Sequence, residues 1–265
     1  MRKIGINYYS KLGISLHEFA KKASLCGFGA TFTGTPSTND RAEQYAKAFQ
    51  EYKLDWESVH APFGHINDIW LPGNGGDAMV SEIKESIDVC ARYDVPISVV
   101  HLSSGERAPS ITDIGRVRFC EIVEYADKKH IKIAFENQRK LANIAWAFEA
   151  FDSASNVGFC WDCGHEGCFT PGREYMPLFG KRLICTHIHD NDGAYNHDLH
   201  QIPFDGRLDF YRVAKHIKDS GFAGTLMLEL LVDNSDLYNG MSPSIYIERA
   251  AEAAKRLRDM IDTKN

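Results

Sequence analysis

Residues 183–210, LICTHIHDNDGAYNHDLHQIPFDGRLDF, hold four of the chain's eleven histidines: His187, His189, His197 and His200. The same stretch carries Asp190, Asp192, Asp198, Asp205 and Asp209. Imidazole nitrogens and carboxylate oxygens are the donors of zinc, manganese and iron sites, and a surface loop has no need of them at this density. The stretch opens as a β-branched, apolar run and becomes a polar loop punctuated by glycine and proline. That pattern predicts a strand delivering side chains to its C-terminal end, with a long functional loop after it.

The elements that must position such a strand recur along the chain. Eight short β-rich runs are legible, at 4–8, 30–34, 57–63, 97–103, 131–137, 157–162, 183–190 and 224–231. Helix-like segments with apolar residues three and four apart lie between most of them, at 41–52, 76–93, 112–130, 144–151 and 209–220, and 242–260 closes the chain. Ser15 and Glu18 form a capping box that opens the first helix, LHEFAKKASLC. Between the sixth and seventh runs, over residues 167–181, Pro171 and Pro177 leave room for one short helix at most. Strands alternating with helices imply a parallel sheet with helical crossovers, and eight such units imply an α/β fold of one (β/α)8 TIM barrel. An open dinucleotide-binding sheet would want a glycine-rich turn after the first strand, where this chain has Tyr8-Tyr9-Ser10-Lys11-Leu12. No linker, charge run or repeat divides the chain, so one domain over residues 1–265 is expected.

Barrels of this kind place their chemistry at the C-terminal ends of the strands. His60, His101, Glu136 with Asn137, Asp162, His187 and Glu229 all fall at or near strand ends, with His165 and Asp190 just beyond. Strand alternation puts Ile97, Val99 and His101 on one side, as it does Cys185, His187 and His189, and Thr225, Met227 and Glu229. One histidine at a strand end is ordinarily hydrogen-bonded structure. Six strand ends in chain order, each carrying His, Asp or Glu, are better explained by a shared cation, because such groups are seldom buried without partners.

Net charge is −6, which argues against a broad basic surface for nucleic acid. Seven cysteines and no secretory leader point to reduced thiols and a cytoplasmic protein. Cys160 and Cys163 form a CxxC, read here as structural because residues three apart on a strand face opposite ways. No apolar run is long enough to span a membrane.

The motifs SVHAPF, VVHLSSG, IAFENQR, GFCWDCGH, THIHDND, HDLHQIPFDGRLDF and LMLEL, in that order, resemble the xylose isomerase-like TIM barrel superfamily over nearly the whole chain. That superfamily groups sugar and sugar-phosphate isomerases and epimerases with the endonuclease IV family. The epimerase branch implies one divalent metal (zinc, manganese or cobalt) held by Glu136, Asp162, His187 and Glu229. It further implies Glu136 and Glu229 as acid and base, and His165 as a substrate contact. The endonuclease branch implies up to three metals, with His60, His101, His165, Asp198 and His200 as added ligands. The epimerase arginine beyond the strand-seven histidine is not matched, since Gly193 or Ala194 falls there.

The resemblance therefore implies proton transfer on a sugar through a metal-stabilised enediolate, with one metal per chain expected and up to three allowed. His165, His189 and Asn137 would contact hydroxyls. Arg139, Arg173 and Arg207 lie in loops at the expected mouth, and Arg207 is the candidate contact for a phosphate. Phe63 and Trp161 flank motif residues and could stack on a sugar ring. The alternative is a zinc-dependent phosphodiesterase acting on abasic DNA. Against it, the loop TPSTNDRAE carries one arginine and GHINDIWLPGNGGD has no lysine or arginine, whereas gripping a duplex takes several phosphate contacts. The expected partner is a small sugar or sugar phosphate, not nucleic acid or membrane. The oligomeric state stays open, a homo-oligomer included.

Overall fold

The computed structural model describes residues 1–263. In chain order the elements are β1 (Ile4–Asn7), α1 (Leu16–Cys26), β2 (Ala30–Gly34), α2 (Asn39–Glu51), β3 (Asp55–His60), α3 (Asn74–Arg92), β4 (Ile97–His101), α4 (Asp113–Lys128) and β5 (Lys132–Glu136). There follow α5 (Leu141–Ala150), β6 (Val157–Asp162), α6 (Cys163–Phe169), α7 (Met176–Phe179), β7 (Leu183–His187), α8 (Phe210–Ser220), β8 (Leu226–Leu228) and α9 (Pro243–Asp262). The strands are parallel and hydrogen-bonded in the order β7-β6-β5-β4-β3-β2-β1-β8. The fold is the single (β/α)8 barrel that the alternation predicts. Every residue of β1 and β6 is buried, as expected of strands covered on both faces. The Ser15–Glu18 capping box forms as predicted, with Glu18 N–H donating to Ser15 Oγ at 3.2 Å and Ser15 N–H to Glu18 Oε2 at 2.9 Å.

The described residues fall into two compact units. The first holds Met1–Phe32, Glu43–Trp56 and the chain from Trp161 onward. Within it, β1 pairs with β2 and with β8, and Ile4, Ile6, Leu226 and Leu228 are buried. The second holds Thr33–Ala42 and Glu57–Cys160, with β3 to β6 paired in sequence order. Its core packs Trp70 tilted against Phe119, ring centroids 5.0 Å apart, and Trp146 edge-on against Trp70 at 5.2 Å.

Three local departures matter for the site. The run at 183–190 is a strand only as far as His187. Beyond it Ile188 bridges Leu228, and Asp190 pairs antiparallel with Gln201, so the chain turns back on itself. β8 is short, and Glu229 lies one residue past its end. Cys163 is the first residue of α6 and not part of a strand. The strand-face argument for its CxxC therefore does not hold. The buried Cys163 thiol instead donates to the His189 carbonyl at 3.4 Å.

The base-poor loop after β3 is organised by one cation. The guanidinium of Arg118, on α4, is buried and donates to the carbonyls of Ile69, Leu71 and Gly73 at 3.0, 2.7 and 2.9 Å. It also pairs with Asp77 at 2.8 Å.

Candidate metal centre

In the second unit the parallel register sets His101 directly opposite Glu136, at the ends of β4 and β5. His60 comes in from the end of β3. Glu136 Oε2 lies 3.0 Å from His60 Nε2 and 2.9 Å from His101 Nε2, and all three residues are buried. His60 Nδ1 is 2.8 Å from the Ala61 carbonyl. A carbonyl only accepts, so Nδ1 carries the proton, and in a neutral ring Nε2 is bare. A bare nitrogen then meets a carboxylate oxygen, lone pair to lone pair, unless a proton or a cation stands between them. Orientation of a ligating imidazole by a backbone carbonyl is the usual arrangement at metal sites. The Gln138 carboxamide reaches within 3.3 Å of His101 Nε2. Only its place two residues after Glu136 could have marked it in the sequence. Phe63, half-exposed, lies flat on His101 with ring centroids 4.4 Å apart.

The first unit holds two donor groups. In one, single ligand atoms of Asp162, His187 and Glu229 lie within 4.8 Å of one another. These residues close β6, close β7 and follow β8. His187 Nδ1 is 3.4 Å from Glu229 Oε2, and Phe32 stacks on the ring at 4.6 Å. Asp162 also caps α6, taking the His165 N–H at 2.6 Å.

In the other group, atoms of His165, His189, Asp198 and His200 converge within 4.8 Å. Asp198 Oδ2 is 3.2 Å from His165 Nε2 and 3.1 Å from His200 Nε2. His200 Nδ1 lies 3.1 Å from the Glu229 carbonyl, which fixes its tautomer as Ala61 fixes that of His60. Burial alone would lower the His200 imidazole, but the charge and hydrogen bond of Asp198 outweigh it and push it up to about 9. Burial alone would likewise raise Asp198, but the charges of His165 and His200 hold its carboxyl well below the usual carboxylate range. Without a cation, the group thus retains a proton in its place.

The structure brings His189 into this group, where the sequence suggested a role towards substrate. Its Nε2 is 3.0 Å from Asp162 Oδ1, its ring stacks on His200 at 4.0 Å, and its Nδ1 is buried with no hydrogen-bond partner. The ring occupies the space above Gly164, where a Cβ would sit 2.0 Å from His189 Cε1. The glycine of WDCGH is therefore a requirement of the histidine of THIHD. Asn137, next to Glu136 in the chain, is fully buried. Arg207 is exposed, its aliphatic part lying against Gly193, and it is not drawn into either donor group of its unit. His197 is also exposed and pairs with Asp192 at 3.1 Å. Trp161 is core, donating its indole N–H to Glu166 at 2.9 Å.

Residues 11–262 match the family described as xylose isomerase-like TIM barrel. The chain belongs to that family. A relative in Sinorhizobium fredii (strain NBRC 101917 / NGR234), the uncharacterized protein y4fM, is 32% identical over 196 residues. The match covers 69% of this chain and 61% of the relative, so the chain spans under two thirds of that protein's length. Among solved structures, a D-tagatose 3-epimerase-like protein is similar with a TM-score of 0.76 at 22% identity, over 98% of both chains. D-psicose 3-epimerase from Clostridium cellulolyticum H10, solved with D-tagatose, has a TM-score of 0.81 at 13% identity, over 99% of this chain and 100% of that one. At such identities these two likenesses speak to the fold of this family member.

Proposed function

We propose that the chain is a divalent-metal-dependent sugar or sugar-phosphate isomerase or epimerase, working as one domain over residues 1–265. The observation that carries this reading is the convergence of Asp162, His187 and Glu229 at successive strand ends. Glu136 is proposed as the fourth ligand. It closes β5, whose register sets it opposite Cys160, two residues before Asp162 on β6. The mixed nitrogen and oxygen set suits zinc, manganese or cobalt. A metal bound there supplies Lewis-acid polarisation of a ketose carbonyl and its adjacent hydroxyl.

The chain's own residues then move the proton. One of Glu136 and Glu229 takes the hydrogen from the carbon beside the carbonyl, and the same group or the other returns it. Return to the opposite face of that carbon yields the epimer. Return to the neighbouring carbon yields the isomer. His165, His189 and Asn137 bind hydroxyls or orient ligands, and Arg207 is the contact available to a phosphate. Cysteines held as thiols among the described residues support a reducing, cytoplasmic setting. The direct test is a screen of ketoses and their phosphates in deuterated water with added manganese, cobalt or zinc. Deuterium at a sugar carbon is expected, and its absence from every ketose would contradict the proposal.

A second reading has its own support. The groups His60–His101–Glu136 and His165–His189–Asp198–His200 offer places for two further cations, as in a zinc-dependent phosphodiesterase acting on abasic DNA. Elemental analysis finding three zinc ions per chain, together with cleavage of an abasic duplex, would establish that reading over the first.

A further inference from the structure

Residues 191–208 leave the end of β7, travel outward and return, carrying Asp198 and His200. Such a loop invites description as a mobile lid. Its hydrogen bonds describe a fixed support. The Asp190 carboxylate is fully buried and accepts four backbone N–H groups from the loop. Oδ1 takes Asn191 at 2.8 Å and Leu208 at 2.9 Å, and Oδ2 takes Phe204 at 3.0 Å and Gly206 at 2.9 Å. Its backbone pairs with Gln201 in both directions, at 2.8 and 2.9 Å. One side chain therefore gathers both ends of the loop.

The fold around it depends on that anion. His200 and Phe204 both hold left-handed backbone, with φ of 47° and 74°, which non-glycine residues adopt at a cost. A Cβ on Gly206 would lie 2.3 Å from the Asn191 carbonyl oxygen and 2.5 Å from Asp190 Oδ1, so only glycine lets the chain come this close. Asn191 continues the support, donating to the Gly164 carbonyl at 3.0 Å and accepting from Leu199 N–H at 2.6 Å. Leu199 sits between Asp198 and His200.

We infer that Asp190 is a positioning residue: its buried carboxylate folds residues 191–208 so that Asp198 and His200 face His165 and His189 as one cation-binding group. The inference rests on the additional-cation reading only for what the group binds. The shape of the loop is a separate matter.

The test therefore reads the two apart. Asp190→Asn keeps the size but replaces one acceptor oxygen with a donor, which turns an N–H towards the loop's own N–H groups. Gly206→Ala disturbs the same clamp from the loop side and serves if Asp190→Asn fails to fold, as judged by circular dichroism. Hydrogen exchange at the amides of Phe204, Gly206 and Leu208 reports the loop. Zinc titration of the full chain, beside an Asp198→Ala control, reports the cation group. Faster exchange of these amides together with a 10- to 100-fold loss of zinc affinity at the Asp198-dependent site is expected, the range typical of groups that orient ligands. Where Asp198→Ala weakens zinc uptake, unchanged exchange, or faster exchange with unchanged zinc affinity, overturns the inference. If Asp198→Ala leaves zinc uptake as in the wild type, the additional-cation reading fails by itself. Exchange alone then decides the role of Asp190: faster exchange supports it and unchanged exchange overturns it.

Discussion

At the scale of single residues, proton placement does much of the explaining. His60 and His200 each give one ring nitrogen to a backbone carbonyl and turn the other towards a carboxylate. In the metal-free protein His200 is pushed up to about 9, above the ~6.5 of an unfolded imidazole. The folded state thus holds that proton more tightly than the unfolded state. The stabilisation is complete below pH ~6.5 and disappears as pH rises through about 9. Thermal melts of metal-free protein should fall across that window, and Asp198→Asn should flatten the fall. Melts as steep in the variant as in the wild type would assign the effect elsewhere. Gly164→Ala drives a methyl group into the His189 ring. It should lower stability by about 1–3 kcal/mol, the range for overpacked sites, and weaken zinc binding at the same time. An alanine variant with wild-type denaturation and zinc affinity would show that the ring has room to move.

At the scale of elements, the sequence was informative wherever a strand ends in a chemical group. His60, His101, Glu136, Asp162 and His187 each close the strand they were expected to close. The period-two pattern failed just past His187. It put His189 on the same strand face, but the strand stops and the backbone at Asp190 turns to meet Gln201. Side-chain alternation says nothing about where a backbone ladder stops, and the four N–H contacts of Asp190 come from residues up to 18 positions away. Arg118 was missed for a related reason. A helical arginine reads as solvated surface, and only the fold brings it beneath the loop after β3. Arg118→Ala leaves several carbonyls without donors and should cost about 2–4 kcal/mol in urea denaturation, with little recovery in Arg118→Lys. Full recovery in the lysine variant would mean that charge alone suffices and that the guanidinium's array of donors is dispensable.

At the scale of the whole molecule, the alternation of strands and helices was enough to specify the barrel, and the order of the motifs was enough to specify the family. The division of the donors into groups was not legible. The resemblance allowed His165 as either a substrate contact or an added metal ligand, and its distances to Asp162 and Asp198 exist only once α6 and the loop at 191–208 are in place. Cofactor count and substrate class follow from that division, which makes the proton-moving glutamates the point on which the functional account turns. The most direct measurement is the rate of solvent-deuterium incorporation into a ketose by metal-loaded protein, compared with Glu136→Gln and Glu229→Gln. The account predicts a fall of at least about 10²-fold in the variant that lacks the proton-abstracting glutamate, the usual share of general acid–base catalysis. Near-wild-type exchange in both variants would contradict it.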